Sequence, residues 1–206
     1  VLKDGRTVDV SVPIRDVKPW SPEQRQLYQA TVRASAGGEL LDEVTFRFGM
    51  RELKVERGHY TLNGRPFWFR GSNLVNEWHW GESFTDNIKR YIVDEARAMN
   101  LNSFRTHTCP PPHSWLDVGD EYGTFFLAEF PLLYNYANFK FTQDEYAVFH
   151  QNALTDAEGW VTQLWNHPSL AIWVLSNESR NDDEFETGPL QALVNSVDPT
   201  RTTLRT

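Results

Sequence analysis

Over roughly the first fifty residues, apolar and polar positions alternate, which is the period of strands with one buried face. Thr7, Val8, Asp9, Val10, Ser11 and Val12 alternate until Pro13; residues 27–34 alternate again; Gly37-Gly38 marks a turn; residues 44–49 make a third run. Residues 1–5 read as the middle of a hairpin. A complete β-sandwich needs about seven strands, so this stretch predicts only part of one.

After Glu52 the period changes. Residues 53–55 and 60–62 predict a small hairpin, with Asn63-Gly64 as a tight turn. Residues 67–71 read as a strand ending in Ser72-Asn73. A helix capped by Thr85 or Asp86 follows, with Ile88, Tyr91, Ile92, Ala96 and Met99 at helical spacing. Residues 102–107 form a short strand, broken by three prolines from Pro110. A short helix covers 114–122 and stops at Gly123, and residues 125–128 are a strand ending at Glu129. Thr142 and Glu145 form a capping box for a long helix whose apolar face is Tyr146, Phe149, Ala153, Ala157, Trp160 and Leu164, halted by Pro168. Leu170, Ile172, Trp173, Val174 and Leu175 have the length and branching of a strand buried on both faces, and the run ends abruptly in Ser176, Asn177 and Glu178. Gly188-Pro189 opens a further helix bearing Leu190, Leu193, Val194 and Val197, Asp198-Pro199 closes it, and residues 202–206 begin one more strand.

Strands alternating with helices from Phe67 onward predict parallel βαβ units. The polar residues collect at strand C-termini: Asn73, then Arg105 and His107, then Glu129, then Asn177 and Glu178. Barrel enzymes keep their active sites on that face. A doubly wound sheet is the competing architecture, but it opens on a glycine-rich βα turn, which Gly71-Ser72-Asn73 is not. Asn-Glu is a common dipeptide and every strand ends in something polar. Glu178 alone is therefore more often a solvated strand end, and its candidacy depends on other polar groups reaching the same place.

The chain's 206 residues carry a net charge of -8 with no basic run, which argues against nucleic-acid and anionic-membrane partners and favours a neutral or cationic ligand. No apolar run approaches the roughly 20 residues of a membrane span. Cys109 is the only cysteine, so neither an internal disulfide nor a thiolate zinc cluster can form. The histidines 59, 79, 107, 113, 150 and 167 show no ligand spacing, and there is no phosphate loop or G-x-S-x-G elbow; no metal and no cofactor are expected. Most of the 8 Trp belong to the core, while a minority suit the apolar face of a sugar ring. The start carries no signal peptide and reads as the interior of a larger protein whose location is unreadable.

Several motifs now stand in order. They are Pro19-Trp20-Ser21-Pro22-Glu23 with Leu27-Tyr28, Phe48-Gly49-Met50-Arg51-Glu52, and Leu62-Asn63-Gly64-Arg65-Pro66-Phe67 with Arg70-Gly71-Ser72-Asn73. The last is Asn166-His167-Pro168-Ser169-Leu170 with Trp173 and Ser176-Asn177-Glu178. Together they resemble glycoside hydrolase family 2, the β-galactosidases, β-glucuronidases and β-mannosidases. The resemblance implies an α/β fold class. Residues 1–52 would be the C-terminal strands of an immunoglobulin-like β-sandwich, and residues 53–206 about the first half of a (β/α)8 TIM barrel. Two stretches depart from the family pattern, Arg105 to Pro110 and the loop from Val75 to Trp80.

The activity this implies is that of a retaining, exo-acting β-glycosidase with a carbohydrate substrate; a homo-oligomeric parent is compatible with it. Such enzymes place two carboxyl groups about 5–5.5 Å apart across the scissile bond. By resemblance Glu178 is the acid/base, and the nucleophile lies on a seventh strand beyond Thr206, so the isolated chain is expected to be inactive and either self-associating or poorly folded. Asn177 would bind the sugar 2-hydroxyl. Arg105 would keep the nucleophile ionised. His107 would hydrogen-bond the nucleophile or the sugar, or else be a satisfied core histidine. Asn73, Glu77 and His79 are candidates for the sugar pocket, and Glu129 is a structural partner for Arg105. Trp173 reads as core, and the Asn177-Glu178-Ser179 glycosylation pattern as coincidence, since a glycan would block the pocket. An endo-acting relative of the same clan and a non-catalytic carbohydrate-binding homologue stay open as alternatives.

Overall fold

The computed structural model describes residues 10–75, 84–132, 136–179 and 184–205. β1 (Tyr28–Ala36) and β2 (Glu39–Phe48) form an antiparallel hairpin closed by Gly37 and Gly38, both at positive φ. Thr31 and Thr45 face each other across it with their hydroxyls 2.8 Å apart. The first predicted strand is corrected: residues 10–12 are not in a strand, and Val10 and Val12 are exposed. Alternation makes a strand only where another strand takes up its backbone hydrogen bonds, and among the described residues none runs beside this segment. Residues 1–5 and 7–9 lie outside the described residues.

β3 (Leu53–Glu56), β4 (His59–Leu62) and β5 (Arg65–Phe67) make a three-stranded meander. Both turns have two residues at positive φ, Arg57-Gly58 and Asn63-Gly64, as type I′ hairpins require. The expected strand at 67–71 is also corrected. Phe67 ends β5, and parallel pairing begins at β6 (Gly71–Leu74). The aromatic run serves packing instead: Phe67 and Phe69 meet Phe125 edge-on at 5.2 and 5.6 Å, and Trp20 meets it at 5.1 Å. Gly71 permits the first pairing, because a Cβ there would lie 2.5 Å from the Ser103 hydroxyl.

The principal sheet has five parallel strands in the order β6, β7 (Ser103–Thr106), β8 (Phe125–Glu129), β9 (Leu170–Val174), β10 (Thr202–Leu204). Each strand lies beside its successor in the chain. A doubly wound sheet reverses its order partway, and no reversal occurs here. Between the strands run α1 (Asp86–Ala98), α2 (His113–Tyr122), α3 (Gln143–Leu164) and α4 (Gln191–Val197). Every residue of β9 is buried. Leu170 and Trp173 join the helix-side core with Trp115, Phe126 and Trp160, while Ala171, Ile172 and Val174 pack with Trp20 and Phe125 on the other side.

Thr85 caps α1 by accepting from the Ile88 N–H, and the capping box of Thr142 and Glu145 opens α3. The α1 face is rotated from the expected one. Lys89, Val93 and Ala96 are buried, whereas Ile88, Tyr91 and Met99 are exposed. Ala96 and Ile92 lie on the packed side as expected, and the rest of the face shifts because a buried lysine position does not count as apolar; Lys89 Nζ donates to Ser114 Oγ at 2.6 Å. The last helix does not begin at Gly188-Pro189. Helical structure is present from residue 184, and Pro189 sits within a wide π-type turn, Glu186–Leu190, that runs into α4. An i→i+5 turn has room for the missing N–H of proline.

Two of the sequence motifs dock on each other. A Cβ at Gly49 would lie 2.4 Å from Pro168 Cγ, and Arg51 Nε donates to the Pro168 carbonyl at 2.6 Å. Burial pulls the Arg51 guanidinium down to about 9. Gly123 ends α2 at φ 76, and a Cβ there would lie 2.2 Å from the Pro22 carbonyl oxygen. Gly123→Ala is therefore expected to lose at least the roughly 1–2 kcal/mol of an L-residue in the left-handed region. A urea-unfolding midpoint equal to that of the wild type would contradict this packing.

Candidate active site

The C-terminal ends of β7, β8 and β9 are tied by one guanidinium. Arg105, on β7, donates from Nε to Glu129 Oε2 at 2.6 Å and from Nη2 to Asn177 Oδ1 at 2.7 Å. The parallel register sets Asn73 and Leu127 beside Arg105 on the neighbouring strands. Glu129, the last residue of β8, is wholly buried; its Oε1 accepts from the Thr108 N–H at 2.7 Å and its own N–H donates to Thr106 Oγ1 at 3.1 Å. Burial pushes the Glu129 carboxyl above its usual range, opposed by the Thr108 N–H and the Arg105 charge. A carboxylate enclosed in this way holds Arg105 in place, and it is the structural partner expected of it.

Asn177 is buried and directs Oδ1 at Arg105, so its Nδ2 amide is the donor it has to offer a ligand. Glu178 is exposed, with φ 51. Asn73 is exposed and shares with Arg105, Ser72 and Leu127 a depression of about 390 Å³. His107 follows β7, with its N–H on the Leu74 carbonyl at 3.0 Å; its Nδ1 is buried and has no hydrogen-bond partner among the described residues. That orphaned nitrogen is at odds with a satisfied core histidine. Glu77 and His79 lie outside the described residues. Trp173 is core, fully buried, with Nε1 on Asp198 at 2.9 Å.

Two contributors went unread in the sequence. The Thr108 N–H reaches Glu129 because Thr108 adopts φ 61, a conformation that nothing in Thr106-His107-Thr108 announces. Glu186 is wholly buried beneath the Ser176–Ser179 turn; its one signal is an acidic residue within an otherwise apolar helical face. At the opposite end of the sheet, Asp117, Asp120 and His167 form a cluster of metal-ligand residue types. Its hydrogen bonds are those of a latch: Asp120 accepts from the Ser169 N–H at 2.9 Å and pairs with His167 Nδ1 at 2.7 Å, while Asp117 accepts from Arg47 at 2.9 Å.

An α/β chain with a parallel sheet and polar groups at its strand C-termini is one class; comparison narrows it. The model of the glycosyl hydrolases family 2 TIM barrel domain matches residues 53–204, and that of glycosyl hydrolases family 2 matches residues 1–51. The chain belongs to glycosyl hydrolase family 2. A putative beta-glucuronidase of Formosa agariphila is 30% identical over 93% of this chain and 18% of that protein. The beta-glucuronidase of Streptococcus agalactiae is 27% identical over 95% of this chain and 35% of that protein. Beta-galactosidase BgaC of Bifidobacterium adolescentis is 28% identical over 90% and 18%. The chain thus spans 18–35% of the length of these curated relatives. Among solved structures, the GH2 beta-galacturonidase of Eisenbergiella tayi bound to galacturonate superposes with a TM-score of 0.83 at 25% identity, over 94% of this chain and 35% of the other.

Proposed function

We propose that the full-length protein is a retaining, exo-acting β-glycosidase for which this chain supplies the acid/base, Glu178. Residues 1–52 are then the end of an immunoglobulin-like sandwich, and residues 53–206 the first half of the barrel; the unreversed order of five parallel strands supports the second assignment. The observation that carries the reading is the Arg105 bridge, 2.6 Å to Glu129 and 2.7 Å to Asn177, because it gathers three strand ends around the residue before Glu178. The names of the relatives support a β-linked glucuronide, galacturonide or galactoside as substrate.

The chemistry follows from the geometry. Glu178 protonates the leaving glycosidic oxygen and then, as a carboxylate, takes a proton from the attacking water. Asn177, fixed by Arg105, donates from Nδ2 to the sugar 2-hydroxyl, a contact that strengthens as the ring gains oxocarbenium character. The Arg105 charge lies where it favours the ionised form of a nucleophile supplied by the rest of the protein. His107, two residues beyond Arg105, hydrogen-bonds the sugar or that nucleophile. Asn73, beside Arg105 in the lining of the depression, takes part in the sugar pocket.

The test is a panel of aryl β-glycosides offered to the full-length protein, with the first-formed sugar anomer read by proton NMR. Release of the β anomer from one of the three substrate types is the expected result. Release of the α anomer would contradict the retaining mechanism. Binding without turnover would favour a non-catalytic homologue, and cleavage confined to internal bonds of a polysaccharide would favour an endo-acting enzyme.

A further inference from the structure

Of the buried acidic groups that take no part in the chemistry above, Glu186 lies nearest in the chain to Glu178. Glu186 opens the wide turn Glu186–Leu190 and is wholly buried. The residue before it, Phe185, lies flat on His150 of α3, with ring centroids 4.0 Å apart and an interplanar angle of 6°. This stack anchors the turn. The Glu186 carboxylate accepts from two hydroxyls, Ser176 Oγ at Oε1 and Ser179 Oγ at Oε2, and the two hydroxyl oxygens are 2.9 Å apart. Arg205 Nε, just past β10, is 3.5 Å from Oε2. Ser176 and Ser179 are the residues that flank Asn177-Glu178. Between them Glu178 takes φ 51, a left-handed conformation that is unfavourable for a residue with a Cβ and persists only where its surroundings impose it.

We propose that Glu186 is a positioning residue for the acid/base. Its carboxylate grips the hydroxyls on either side of Asn177-Glu178 and holds the left-handed turn that aims Glu178 at the glycosidic oxygen. The proposal rests on the reading of Glu178 as acid/base. Glu186 is wholly buried, and among the described residues its carboxylate meets the two serines and Arg205, so its influence on the substrate passes through this turn. Loosening the grip therefore displaces the proton donor, while Asn177 stays tied to Arg105, and a misplacement of about 1 Å costs on the order of 10²-fold in rate.

The experiment compares Glu186→Gln, Ser179→Ala, Ser179→Thr and Glu178→Gln in the full-length protein, each with a poor and an activated aryl leaving group. Glu186→Gln and Ser179→Ala should lower kcat/KM, which reports the bond-breaking first step, about 10- to 100-fold on the poor leaving group and less on the activated one. Ser179→Thr, which returns a hydroxyl, should restore most of the loss. Ser179→Ala leaves the carboxylate bound to Ser176 and Arg205, so it decides the matter even if Glu186→Gln fails to fold. Losses in kcat/KM that are equal for both leaving groups, or no loss, alongside an impaired Glu178→Gln would overturn the proposal while leaving the acid/base reading intact. Native turnover by Glu178→Gln would overturn the acid/base reading, and the proposal with it.

Discussion

Glu178→Gln in the full-length protein should lose about 10²–10⁴-fold in turnover of glycosides with poor leaving groups, the usual contribution of general acid catalysis. That corresponds to roughly 2.7–5.4 kcal/mol of transition-state stabilisation. An amide cannot give a proton to the departing oxygen, and an alkoxide of high pKa cannot leave without one. Activated aryl glycosides need little protonation, so their first step should be nearly spared and the loss should appear in the second, where the missing base slows attack by water. The burst of aryl alcohol followed by a slow steady state is then the signature, read by stopped-flow absorbance. Equal losses for good and poor leaving groups in the pre-steady-state release of the first step would count against the assignment. The fold should tolerate the substitution, because Glu178 is exposed and Ser176 and Ser179 rather than its own side chain carry the hydrogen bonds of the turn.

The second large effect belongs to Arg105. Arg105→Ala removes both arms of the bridge and leaves Glu129 wholly buried without its cation, which typically costs 3–5 kcal/mol, about the margin of a marginal domain. Lysine is no substitute: a single ammonium cannot present the forked donors that reach Glu129 and Asn177 together. The catalytic loss should fall on kcat more than on KM, since Asn177 loses its orientation and the nucleophile its supporting charge. A near-native kcat with only a raised KM would place Arg105 in ground-state binding. The variant should also gain a pH dependence. With the cation gone, burial holds the Glu129 carboxyl still further above its usual range. The native state then keeps a proton that the unfolded state has lost, so stability is greatest at low pH and falls as pH rises through that window. Urea midpoints measured across pH would show a steeper fall in the variant than in the wild type.

How much of this was legible depended on whether local pattern or distant contact decides each element. β9 was legible because an uninterrupted apolar run of that length has few alternatives, and every one of its residues is buried. The caps at Thr85 and Thr142 were legible because a cap is a local hydrogen bond. The start of the parallel sheet was not. Phe67-Trp68-Phe69 has strand composition, but the rings of Phe67 and Phe69 are claimed by Phe125 and Tyr60, and pairing passes to the weaker strand former Gly71-Ser72-Asn73-Leu74. The α1 phase was hidden for a similar reason, as the burial of Lys89 depends on Ser114 of the next helix. At the site, Arg105 with Glu129 followed from adjacent strand ends. The link from Arg105 to Asn177 spans 72 residues and two strands, and only the folded sheet brings it to 2.7 Å. Glu186 is hidden more completely, because a buried glutamate and a surface glutamate have the same letter.

The central claim is that Glu178 serves as the acid/base and not as the nucleophile or a surface carboxylate. Azide tests it most directly. In a retaining enzyme whose acid/base carboxyl is removed, azide needs no general base and intercepts the glycosyl-enzyme from the face that water would use. Full-length Glu178→Ala, given an activated aryl β-glycoside and azide, should therefore recover turnover and form the β-glycosyl azide, identified by the anomeric coupling in its proton NMR spectrum. Formation of the α-glycosyl azide would make Glu178 the nucleophile, and wild-type turnover without azide would remove it from the chemistry altogether.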